Sequence, residues 1–383
     1  MDMPAAGRFE RSAVGRSIVF PAAWPAGVRG WDSDARFRSL TMRVLLIGGS
    51  GFIGSHVQRT LAAAGHELIV FHRGTHPVRN HNARELLGDR CRLRQHAHTL
   101  RAVRPDVVID CVLSSGSQAR ELMNVFRGAT SRIVALSSCD VYRASGITHG
   151  LEEGPLEPLP LTETSALRSR LQTYPPAQIH LLQQIFGWLD DEYDKIPVER
   201  EILGDAELPG TVLRLPMVYG PGDPLHRFHP IVKRIVDRRG TIVLSNAMAG
   251  WRATKGYVED VAVAIALAAT SDRAAGAVFN AGEPDTLTEL EWAEAIATAM
   301  GWQGRFVLVD DEHAPAHLRA RGNTAQHWVV ATTRLRETLA FREVVSRDDA
   351  VRRTVEWERA NPPTGFSPHE FDYAEEDAAL DPR

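Results

Sequence analysis

Residues 44–57 read VLLIGGSGFIGSHV: four apolar residues, a glycine-rich turn and the opening of a helical period. Glycines fall at 48, 51 and 54. Ile53, Val57 and Leu61 then recur four apart on one helix face, Gly65 stops the run, and a strand-like Glu67–Phe71 follows. Strand, turn, helix and second strand in this order are the unit that seats a dinucleotide. Gly48 permits the tight turn. Gly51, without a Cβ, lets a pyrophosphate approach the backbone, and Gly54 lets helix and strand pack closely. Free amides at the helix start, with its dipole, favour phosphate, which assigns Gly48, Ser50, Gly51, Phe52, Ile53 and Gly54 to cofactor binding.

The second strand ends in Phe71-His72-Arg73-Gly74, without the acid that commonly meets ribose hydroxyls in NAD sites. Arg73 suits a 2′-phosphate instead. The expected cofactor is therefore NADP, with NAD as the alternative.

Further strand-like runs lie at Arg43–Ile47, Val107–Val112, Ile133–Leu136 and Thr211–Leu215, with helix-like segments between most of them. Alternation of this kind means parallel strands joined by right-handed crossovers. The expected fold is α/β, a doubly wound Rossmann parallel sheet with a smaller C-terminal α/β substrate lobe. Residues 43–220 would form the dinucleotide-binding part, with a return near 255–280 that includes a strong helix at Val258–Ala269. Residues 221–357 would form the substrate lobe, with a strand near Thr241–Leu244. The interval from Tyr142 to Gln178 is long and proline-rich, and reads as an excursion able to cover a site. Residues 1–42 lack periodicity and are expected to be a poorly ordered extension. Residues 358–383 are expected to be an acidic, mobile tail.

Composition narrows the function classes. A net charge of −4 argues against a general polyanion binder, and no apolar run approaches the ~20 residues of a membrane helix. Cys91, Cys111 and Cys139 give neither a disulfide framework nor paired zinc spacing, which suits a reducing cytoplasm. The histidines join no carboxylate or cysteine at ligand spacing, so no metal is expected. Lys195, Lys233 and Lys255 are the only lysines among 44 basic residues. A chain that otherwise uses arginine keeps lysine where a compact ammonium is needed, and Lys195 is read as a cofactor contact.

The glycine turn, LSSCDVY (136–142), YDKIPVE (193–199) and LRLPMVYGPGD (213–223) resemble the extended short-chain dehydrogenase/reductase superfamily, in its NAD(P)-dependent epimerase/dehydratase branch. The resemblance covers about residues 43–357. It implies Ser138 as the catalytic serine, Asp140 at a position often held by a substrate-facing hydroxyl, and Pro216 and Val218 beside the nicotinamide. It further implies Asp89 at the adenine, Arg252 near a substrate phosphate, and homodimers through helices flanking the sheet.

The catalytic pair departs from the family pattern. Tyr-x-x-x-Lys places both side chains on one helix face, whereas here Tyr193 and Lys195 are two apart. Pro197 suits a helix first turn. A helix beginning near Lys195 would leave Tyr193 in the preceding turn, still able to face the cofactor. The resulting expectation is an oxidoreductase or epimerase acting by hydride transfer on a sugar-like or nucleotide-linked alcohol. Ser138 would hold the substrate oxygen, Tyr193 would be the acid/base and Lys195 would orient the ribose. The expected partner is a small-molecule substrate, not a membrane or nucleic acid. The alternative is a redox-silent cofactor-binding protein acting as a sensor or RNA-binding partner.

Overall fold

Val44, Leu45, Leu46 and Ile47 of β1 (Arg43–Ile47) are all fully buried, as a strand covered on both faces requires. Successive side chains leave opposite faces. Val44 and Leu46 join a cluster containing Val57 and Leu61 of the helix Phe52–Ala63. Leu45 and Ile47 join another containing Leu122 and Phe126 of the helix Gly116–Phe126. Each such aliphatic contributes about 1.5–3 kcal/mol relative to exposure, so β1 anchors the core on both sides. This is a computed structural model, and it describes residues 41–78, 82–172, 174–364 and 371–380. The expected N-terminal extension lies almost wholly outside them.

Around β1 the sheet builds outward through β2 (Glu67–His72), β3 (Arg84–Leu87), β4 (Val107–Asp110), β5 (Arg132–Ser138), β6 (Gly210–Leu215) and β10 (Val278–Asn280). The seven strands are parallel, in the order β10-β6-β5-β4-β1-β2-β3. The order in which strands are added reverses between β1 and β4, and a ligand crevice opens at the carboxyl ends of such strands. The helix Val258–Thr270 packs beside Phe52–Ala63, and Gly116–Phe126 packs beside Lys195–Leu203. Two short parallel pairs complete the later part: β7 (Met217–Tyr219) with β9 (Lys255–Tyr257), and β8 (Thr241–Ser245) with β11 (Arg305–Val309). Tyr219, Phe228, Tyr257 and Trp292 pack ring against ring there. No described helix is long and apolar enough to cross a membrane.

The proline-rich excursion is pinned at two interior points. Arg168 donates its amide to the Val141 carbonyl at 2.8 Å, and Leu161 exchanges backbone hydrogen bonds with Val329 and Ala331.

The C-terminal residues differ from the expected solvated tail. A helix at Tyr373–Ala378 buries Glu376 completely, because Arg234, itself 3% exposed, needs a carboxylate. The Arg234 Nε lies 3.1 Å from both Glu376 oxygens, and His317 Nε2 lies 3.1 Å from Oε1. Removing one partner of a buried ion pair leaves the other charge uncompensated, at a cost of about 3–5 kcal/mol. Glu376→Gln should therefore lower the unfolding free energy by that amount, read as a lower urea midpoint with an unchanged slope. An unchanged midpoint would contradict the buried pairing.

Candidate active site

Backbone geometry at the glycine turn fits a diphosphate. Gly48 adopts φ +75°, and a Cβ on it would lie 2.5 Å from Val112 Cγ1. A Cβ on Gly54 would meet the Gly48 carbonyl oxygen at 2.6 Å and Gly49 Cα at 2.7 Å. Gly51 is different: its backbone is extended, and the nearest atom to an added Cβ is 3.6 Å away. That open side faces the start of a 12-residue helix whose N-cap, Gly51, supplies no side-chain acceptor. The first helical bond runs from the Ser55 amide to the Gly51 carbonyl at 2.9 Å. The amides of Phe52 and Ile53 thus precede any intrahelical acceptor and present a ready anion site. Gly222 sits against Phe52, so the Tyr219–Pro224 loop borders the helix start.

At the end of β2, both ring nitrogens of His72 are engaged: Nε2 with Glu85 at 2.9 Å and Nδ1 with the Gly74 amide at 3.3 Å. Arg73 is exposed and donates through Nη1 to the Gly187 carbonyl at 2.8 Å, which fixes one edge of the guanidinium. Asp89 accepts the Cys91 amide at 2.9 Å, capping the turn after β3.

The helix Lys195–Leu203 begins at Lys195, capped by Asp194, whose Oδ1 accepts the Ile196 amide at 2.8 Å. Arg168, from the excursion, holds the same Asp194 carboxylate in a buried pair at 3.2 Å. Tyr193 therefore stands outside the helix, and the face mismatch of a Tyr-x-Lys spacing does not arise. Lys195 is 5% exposed and donates to the carbonyls of Leu113 and Leu136, the latter at 3.1 Å, at the ends of β4 and β5. Its Nζ lies 5.5 Å from the centroid of the Tyr193 ring. Burial pulls its pKa down to about 8, against the pull of nearby carboxylates led by Asp140.

The Tyr193 hydroxyl donates to Asp140 Oδ2 at 3.4 Å, and the Tyr174 hydroxyl donates to the same oxygen at 3.4 Å. The two rings sit 6.0 Å apart. Asp140 is 4% exposed, and its Oδ1 is buried with no hydrogen-bond partner among the described residues. Burial, then the Asp140 charge, raises the Tyr193 pKa well above the ordinary phenol value. Burial likewise raises the Asp140 carboxyl, with Arg168 opposing.

Other candidates fall differently. Ser138 Oγ accepts the Asp140 amide at 3.1 Å, so the serine caps the turn and Asp140, not Ser138, meets Tyr193. Val218 is a core residue, 5% exposed, whose carbonyl takes Arg227; its side chain is spent on packing in the main buried cluster. Pro216 stays half-buried beside Gly256 and Gly282. Arg252 is exposed and directs Nε and Nη2 at the Thr286 carbonyl, at 3.1 and 2.8 Å, with no hydrogen bond to the Tyr193–Asp140 group. Lys255 is paired with Glu289.

Sequence reasoning missed Tyr174, Arg168 and Asp194. Only Tyr174 carried a local signal, as an aromatic just before the rigid Pro175-Pro176 pair.

Comparison with known proteins agrees with this architecture. Residues 44–160 match the model of the NAD dependent epimerase/dehydratase family. A 2'-dehydrokanamycin reductase from Streptomyces kanamyceticus is 25% identical over 286 residues, 73% of this chain and 72% of the relative. Among solved structures, dTDP-glucose 4,6-dehydratase from Bacillus anthracis in complex with NAD aligns with a TM-score of 0.59 at 17% identity, covering 84% of this chain and 97% of that one. UDP-glucose 4-epimerase from Thermotoga maritima with UDP-glucose aligns with a TM-score of 0.58 at 20% identity, covering 84% and 99%. These structural likenesses carry the fold, a seven-stranded parallel Rossmann sheet. The family resemblance and fold class read from the sequence are borne out.

Proposed function

We propose that this chain, which resembles the NAD dependent epimerase/dehydratase family over residues 44–160, is an NADP(H)-using oxidoreductase acting on a sugar-like substrate, with Tyr193 as its acid/base group. One observation carries the reading. Val112 packs on Gly48 of the turn, and the carbonyl of the next residue, Leu113, takes the Lys195 ammonium. The diphosphate cradle and the Tyr193–Lys195 pair are thus joined across a single residue step at the sheet's carboxyl edge.

A nicotinamide bound there supplies or accepts the hydride. The protein's own work is binding and proton transfer. Phe52 and Ile53 amides hold phosphate, and Lys195 keeps one ammonium hydrogen beyond the two spent on carbonyls, for a ribose hydroxyl. Ser138, having accepted an amide, retains its own hydroxyl hydrogen for the substrate oxygen. Tyr193, kept as a phenol, gives its proton to an oxygen that gains charge. The redox-silent alternative needs Tyr193 turned away, and no observation favours it.

The engaged guanidinium of Arg252 supports a sugar-like substrate over a nucleotide-linked one. Arg73, fixed on one edge only, leaves its other donors for a 2′-phosphate. Arg73→Ala should weaken NADP binding about tenfold, roughly 1.4 kcal/mol, and leave NAD within about twofold. Equal losses for both nucleotides would return the choice to NAD. The test of the function itself is NADPH consumption against a panel of keto-sugars; no consumption with any member would overturn it.

A further inference from the structure

A tyrosine that exchanges protons benefits from a cation beside it, which favours the phenolate. Lys195 supplies that cation here, with Nζ 5.5 Å from the ring. The hydroxyl end has the opposite environment, a carboxylate oxygen at 3.4 Å. We propose that Asp140 is a positioning residue that holds the proton on Tyr193, so that the site works as a proton donor to a carbonyl and favours reduction over oxidation. The inference rests on the function proposed above and adds a direction to it.

The surrounding ion pairs make Asp140 the group with a charge to spare. Asp110 is matched by Arg90, Glu199 by Arg214 and Asp194 by Arg168. Asp190 is held by the hydroxyls of Ser114 and Ser115. Asp140 has no such cation: Arg168 reaches it only through the backbone, donating Nε to the Asp140 carbonyl at 2.6 Å. Its Oδ2 receives two phenols and its Oδ1 nothing.

The groups facing Tyr193 are Asp140 from the turn after β5, Tyr174 from the excursion, and Asp194 and Lys195 from its own turn. Those facing Asp140 are Arg168, Asp194, Lys195 and the Ser138 hydroxyl, with Arg227 near Tyr174. Three of the four neighbours of Tyr193 keep it protonated, and Lys195 alone opposes them. When a carbonyl carbon takes a hydride and Tyr193 gives its proton to the carbonyl oxygen, an alcohol forms and the phenolate is left beside Asp140. That repulsion drives prompt recovery of the proton from solvent.

The test is ionisation of Tyr193, read as the phenolate ultraviolet difference between each protein and its own Tyr193→Phe counterpart. In Asp140→Asn, a near-isosteric change, the midpoint should fall by about 1 pH unit or more relative to the parent. The alkaline limb of the pH–rate profile should move with it. Oxidative kcat near pH 9 should rise about tenfold relative to reductive kcat near pH 6.5. Tyr174→Phe, which leaves the Asp140 carboxyl in place, should keep the midpoint high and controls for repacking. An unmoved midpoint in Asp140→Asn would overturn the proposal, as would equal shifts in both variants. A shifted midpoint in a protein that turns over no keto-sugar would sustain the role of Asp140 and overturn the function it was attached to.

Discussion

Replacing Tyr193 by phenylalanine is expected to lower turnover about a thousandfold, within the range of lost general acid/base catalysis, while nucleotide affinity stays within about twofold. The substitution removes one oxygen. The ring remains, and with it the contacts to Tyr174 at 6.0 Å and to the Lys195 ammonium at 5.5 Å. Asp140 Oδ2 keeps the Tyr174 hydroxyl, so no acceptor is newly stranded. The lost hydrogen bond is long, at 3.4 Å, and contributes little to folding. Steady-state kinetics beside a binding titration separates the two effects. Unchanged turnover removes Tyr193 from the mechanism. If Tyr174→Phe rather than Tyr193→Phe abolishes turnover, the acid/base role passes to the residue from the excursion.

The glycine turn gives the second large effect, as a contrast between two positions three residues apart. Alanine at Gly54 would place its Cβ 2.6 Å from a carbonyl oxygen and 2.7 Å from a Cα, both backbone atoms. Backbone has little room to yield, so Gly54→Ala should destabilise the protein by about 1–3 kcal/mol or more. Alanine at Gly51 meets nothing nearer than 3.6 Å and fits an extended backbone. Gly51→Ala should leave the unfolding free energy within about 0.5 kcal/mol. A structural turn would suffer at both positions. A turn that keeps Gly51 bare for a ligand suffers in stability only at Gly54.

How much of this was legible in the sequence depended on what each residue had to bury. Val44–Ile47 are apolar without interruption because both faces of β1 are covered, and the strand was plain. Arg84–Leu87 were not read as a strand: β3 lies at the sheet edge, is four residues long and leaves Leu87 67% exposed. The acidic C-terminus looked solvated because composition does not disclose that Arg234 waits for Glu376 some 142 positions away. Within the site, local spacing explained Tyr193 and Lys195, since Pro197 and the Asp194 cap fix where the helix begins. Tyr174 and Arg168 come from an excursion with no periodicity, and only the tertiary fold brings them to Asp140. Ser138 and Asp140 are two residues apart, and which one meets the tyrosine is settled by the tight turn that Ser138 caps.

The most direct measurement is a calorimetric titration of NADPH and NADH into the wild-type protein and into Gly51→Ala of matched stability. The account predicts one-to-one binding by the wild type, stronger for NADPH, and at least about a thirtyfold loss in Gly51→Ala, roughly 2 kcal/mol. Wild-type protein that binds neither nucleotide, or Gly51→Ala binding with undiminished affinity, would contradict it.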